Sequence, residues 1–64
     1  MKAGEKLKSL RGNKSQFEVA KDLMISTSAL SAYETGERIP RDEVKVRIAD
    51  YYNTTVQDIF FNER

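Results

Sequence analysis

The sequence predicts a small all-α domain made of five short helices. Three observations carry that reading. Capping signals recur along the chain, apolar residues follow helical spacing, and no segment alternates apolar and polar residues over the length of a strand. At 64 residues the chain is read as one domain, 1–64. A chain this short buries only about 60% of the surface its unfolded form exposes. Small domains usually compensate with disulfides, a metal or a partner subunit. The sequence has no Cys and no His, which removes the first and the usual zinc site. Compact helix packing, a second subunit, or both remain.

The first helix is expected over 3–11, with Leu7 and Leu10 at i, i+3 and Gly12-Asn13 as its stop. Ser15 followed by Glu18 forms a capping box, in which the hydroxyl takes a free N–H and the carboxylate reaches back. It opens a second helix from 16 to about 23, with Val19, Ala20 and Leu23 on one face. Met24 and Ile25 break the pattern. Ser26 is the next N-cap, and a third helix follows over 27–34 until Gly36. Ile39-Pro40 cannot continue a helix, so 35–40 is a loop. The fourth helix is expected over 42–52, with Asp42 and Glu43 in the first turn, where the helix dipole favours acids. Asn53 suits a left-handed stop, and Thr55 with Asp58 opens a last short helix ending near 60–61.

Composition narrows function. Without His or Cys there is no imidazole base and no thiolate nucleophile, and a chain this small leaves little room for a substrate pocket beside its core. An enzyme is not expected, nor a metal, a cofactor or a small-molecule ligand. No apolar run approaches the ~20 residues that cross a bilayer. The first residues run straight into polar sequence, so no signal peptide and a cytoplasmic location are expected. The net charge is only +1, but residues 1–41 carry +3 and residues 42–64 carry −2. The imbalance favours a front face turned toward an anionic partner.

The most informative feature is the link between helices two and three. Only Met24, Ile25 and Ser26 separate them, which forces a sharp crossing of the kind found in helix-turn-helix proteins. Ala20 lets the two helices approach, and Ile25 and Leu30 fill the corner. A plain helical bundle with a tight turn would share this feature. The surrounding residues go further. Ser15-Gln16-Phe17-Glu18-Val19-Ala20, then Leu23-Met24-Ile25-Ser26, then Ala29-Leu30-Ser31-Ala32-Tyr33-Glu34-Thr35-Gly36-Glu37-Arg38-Ile39-Pro40 resemble the Cro/lambda-repressor-like helix-turn-helix, or XRE, family. The likeness extends through Ile48-Ala49 and Val56, Ile59 and Phe60, covering nearly the whole chain. It implies a compact five-helix DNA-binding domain with its helix-turn-helix at about 16–34. The sequence departs from the family in a link two residues shorter between Arg11 and Gln16, which calls for a tight turn at Gly12.

On that resemblance the third helix would enter the major groove of double-stranded DNA. Its first turn and outward face hold Thr27, Ser28, Ser31 and Ala32. Family members often carry Gln, Arg or Lys there. None of these four side chains can make a bidentate contact to a base, a contact worth about 1–3 kcal/mol of discrimination. Modest selectivity per half-site is therefore expected, with DNA shape and dimer spacing contributing more. Affinity falls to phosphate contacts. Gln16 stands at the start of helix two, and the resemblance gives the matching Gln that role. Asn13 and Lys14 precede the helix, and Thr35, Gly36 and Arg38 follow helix three. The alternative for Lys14 and Arg38 is a solvated surface charge. Arg11 and Glu34 match positions that form a partly buried ion pair in some members. For Phe17 two placements are open, against Met24 or against a DNA sugar.

A twofold dimer would set two such helices about 34 Å apart, matching a palindromic operator. Tyr52, Ile59, Phe60 and Phe61 supply apolar surface for that interface; alternatively Phe60 completes the monomer core and only Phe61 protrudes. The reading is a DNA-binding transcriptional regulator, a repressor acting as a homodimer. The alternative is a protein-interaction module, such as an antitoxin or accessory regulator, that binds DNA weakly.

Overall fold

Local capping sets where the helices begin. The computed structural model describes residues 2–61; Glu63 and Arg64, counted in the charge of the C-terminal part, lie outside the described residues. Ser15 Oγ accepts from the amide of Glu18, Ser26 Oγ from Ala29 and Thr55 Oγ1 from Asp58, each at 3.0 Å. Among the described residues five helices follow: α1 (Lys2–Arg11), α2 (Gln16–Leu23), α3 (Thr27–Thr35), α4 (Asp42–Tyr51) and α5 (Val56–Phe60). They match the expected elements to within a residue or so at each end. The main shift is at Thr35, which belongs to the last turn of α3 rather than to the loop.

α1 packs on α3 and α5, α2 on α3 and α4, and α4 on α5. Their inner faces meet in one core, where Leu7, Val19, Leu23, Leu30, Ile48 and Ile59 are fully buried. Ala20 is buried where α2 and α3 approach, and Ile25 packs against the same core from the turn. Gly12 takes φ +59°, which supplies the tight turn the short link needs. Arg47 on α4 donates from Nη1 to the carbonyl of Leu23 at 2.9 Å, giving the C-terminus of α2 a cationic cap.

The turn between α2 and α3 is sharper than a simple break. Met24 sits in the left-handed region at φ 62°, and Ile25 N–H reaches back to the Ala20 carbonyl at 3.0 Å. This is the hydrogen-bond pattern with which helices commonly close on a glycine. A side chain there costs about 1–2 kcal/mol. Met24 is 76% exposed, so little packing offsets the cost. Met24→Gly is expected to raise stability by about 0.5–1 kcal/mol, after glycine's greater unfolded-state freedom takes back a part. In a thermal melt that is about 3–6 °C. An unchanged or lower midpoint would show that the left-handed methionine carries no cost.

Candidate nucleic-acid interface

α3 owes its position to the turn before it. Ser26 caps the helix, so its first turn projects from the end of the turn, and Leu30, Tyr33 and Glu34 face inward. Thr27 and Ser28 are exposed, and Ser31 is partly so. Ala32 departs from the expected outward set. It is only 9% exposed, and its carbonyl accepts from the amides of Glu37 and Arg38, at 2.9 and 3.3 Å, where the chain after Gly36 turns back on the end of α3. Thr35 takes its place on the outward stripe, eight residues after Thr27 and four after Ser31. The stripe of Thr27, Ser28, Ser31 and Thr35 is therefore hydroxyl-bearing from end to end, and carries no charge.

Beside it lies a polar cluster joining three helices. The carboxylate of Glu34, with its side chain 1% exposed, accepts from Arg11 Nε at 2.8 Å and from Arg11 Nη2 at 3.1 Å. Gln16 Nε2 donates to the same carboxylate at 3.0 Å. Arg11 Nη1 donates to the Lys14 carbonyl at 2.7 Å, so one guanidinium also fixes the α1–α2 turn. Its hydrogen bond to Glu34 raises the Arg11 pKa above its ordinary value. A primary amide has two N–H groups. Gln16 thus spends one on Glu34, while the other, with its oxygen, makes no side-chain hydrogen bond among the described residues. Sequence spacing gave no sign of the link between Gln16 and Glu34, 18 residues apart.

The flanking cations are arranged less simply. Lys14 lies over Tyr51, its Nζ 5.2 Å from the ring centre and 3.3 Å from the hydroxyl. That hydroxyl donates in turn to Asp22 at 2.9 Å. Accepting from Lys14, the Tyr51 oxygen holds the ammonium pKa above its ordinary value. Lys14 remains exposed, as does Asn13 beside it. Gly36 closes α3 at φ 84°, and Arg38 follows with its guanidinium 5.9 Å from the Tyr33 ring centre. Phe17 is exposed, as is Met24, so the two do not bury each other.

The four residues expected at a dimer interface divide. Ile59 and Phe60 are buried within the chain's own core, because α5 packs on α1 and α4. Ile59 therefore offers no surface to a second subunit, and Phe60 takes the alternative place expected for it, in the monomer core. Phe61 protrudes at 59% exposure, with Lys45 Nζ 5.0 Å from its ring centre. Tyr52 is half-buried, and its hydroxyl is enclosed without a hydrogen-bond partner among the described residues. Burial pushes the Tyr52 pKa up to about 12.

Two helices joined by three residues, the second presenting an uncovered outer stripe and the first beginning with a half-free amide, define a helix-turn-helix DNA-binding domain. The chain belongs to the Cro/lambda-repressor-like, or XRE, helix-turn-helix family: the helix-turn-helix family model matches residues 7–59. That span runs from the core leucine of α1 to the core isoleucine of α5. The family is one of DNA-binding regulators rather than of enzymes. No curated protein and no solved structure matches the chain. Among the described residues, no helix is long and apolar enough to cross a membrane.

Proposed function

We propose that this DNA-binding regulator is a cytoplasmic repressor that binds a palindromic operator as a homodimer, with α3 in the major groove of each half-site. The observation that supports it best is the outer stripe of α3. Thr27 and Ser28 are exposed and Ser31 is partly so, and Gln16 at the start of α2, tied to Glu34 by one amide N–H, has a second to offer. Thr27, Ser28 and Ser31 meet base edges, and Thr35 joins them at the far end. Gln16, Asn13, Lys14, Gly36 and Arg38 hold the phosphates on either side. The dimer contact rests on Phe61 and Tyr52.

With hydroxyls alone on the stripe, half-site discrimination is modest and operator spacing carries more of the specificity. Gel shifts with an operator selected from random duplexes, run beside a scrambled duplex over a salt series, test this. Gln16→Ala weakens binding to both duplexes by about 5–20-fold, the worth of one hydrogen bond to a charged group. Ser28→Arg changes which operator is preferred, by about 1–3 kcal/mol. Equal effects of Ser28→Arg on operator and scrambled DNA would remove α3 from the groove. Half-sites that bind as tightly as the full palindrome would remove the dimer.

A further inference from the structure

A groove of about 350 Å³ lies between the α2–α3 turn and the start of α4. Three arginines line it, Arg38, Arg41 and Arg47, against a single acid, Glu43. Met24 and Ile39 stand in its lining with 76% and 60% of their surface exposed. Two of the arginines are already positioned. Arg47 is tied to the Leu23 carbonyl at 2.9 Å, and Arg38 rests near the face of Tyr33. Fixed guanidiniums bind carboxylates with little further loss of side-chain freedom.

We infer that this groove docks an acidic segment of a protein partner, one that carries an aliphatic or aromatic side chain between its carboxylates. Charge complementarity selects the acid. The exposed Met24 and Ile39 select the apolar anchor, since burying them gains free energy only against another apolar group. DNA would engage the arginines but would leave those two side chains against phosphate and sugar. Arg38 is shared with the proposed phosphate contacts, so a docked segment occupies a cation that DNA would also use. Docking and DNA binding then oppose each other, which gives the chain a way to be regulated.

The test uses the whole chain and a blocked, fluorescein-labelled hexapeptide, Glu-Glu-Leu-Phe-Glu-Glu, with binding read by anisotropy and by two-dimensional nitrogen–proton NMR. The expected result is saturable binding that shifts the amides of Ile39, Arg41 and Val44. It should be about tenfold tighter than for the same peptide with Ser-Ser at its centre, or with Lys in place of Glu. Arg41→Glu should weaken it by about tenfold and Ile39→Ser by about fivefold, with the rest of the spectrum unchanged. Absence of binding at millimolar peptide overturns the inference, as does equal binding of the Ser-Ser peptide. So does a pattern in which duplex DNA shifts these same amides and Arg41→Glu weakens duplex binding while the peptide is indifferent to it; the groove would then belong to the DNA backbone. The peptide titration contains no DNA and Gln16→Ala leaves the groove intact, so failure of the operator reading does not decide this one.

Discussion

Glu34→Ala is expected to lower folding stability by about 2–4 kcal/mol, read as a reduced urea midpoint with an unchanged slope. The carboxylate is the shared acceptor for Arg11 and Gln16. Its removal strands a guanidinium that is 18% exposed and an amide that has lost its internal partner. Stranding one member of a buried pair costs about 3–5 kcal/mol, and the water that still reaches Arg11 brings the figure down. A domain of this size holds about 5 kcal/mol in all, so the variant is expected to be partly unfolded near body temperature. Glu34→Gln keeps the shape and one acceptor oxygen, and should lose less. A double-mutant cycle with Arg11→Met isolates the pair and should give a coupling above about 1 kcal/mol. A loss from Glu34→Ala below about 0.5 kcal/mol would reduce the cluster to a surface contact.

The second large effect is expected from the smallest change. A Cβ placed on Gly4 would meet the Glu34 carbonyl oxygen at 2.5 Å and the Tyr33 carbonyl oxygen at 3.0 Å. Those atoms are backbone, so they cannot rotate away as a side chain could. Alanine is the better helix former by about 1 kcal/mol, and on propensity alone Gly4→Ala should stabilise α1. The contact predicts the reverse sign: a net loss of about 1–3 kcal/mol as α1 is pushed off the end of α3. A chemical melt decides it, and a stabilised Gly4→Ala variant would mean that the two helices separate at little cost. The same displacement would carry Arg11, two turns further along α1, away from Glu34. Nitrogen NMR of the Arg11 guanidinium should report that displacement alongside the melt.

Much of the fold is legible because it is specified locally. Ser15, Ser26 and Thr55 each declare a helix start within three residues, and each makes that bond in the structure. Asn53 takes the left-handed conformation expected of it, at φ 58°. What the sequence conceals is set at longer range. Gly4 reads as an indifferent residue in a helix, although an isolated glycine in a helical pattern is itself a hint of close approach. Helical angles leave Ala32 near the outward stripe, but the structure buries it. Ile59 and Phe60 are apolar in any reading, and only the packing of α5 on α1 and α4 assigns them to the monomer. Met24 marks a break in the pattern, while its left-handed geometry comes from the hydrogen bonds that close α2.

The outer stripe of α3 has one more consequence. Among the described residues, the hydroxyls of Thr27, Ser28 and Ser31 hold no other part of the molecule in place, while the capping, the buried seam and the ion pair are all built from different positions. On the proposed reading, in which this surface meets base edges, new preferences can therefore be written onto it one substitution at a time, without renegotiating the fold. A lineage carrying such a head can track a drifting binding site quickly, and a laboratory can retarget it with the same few codons.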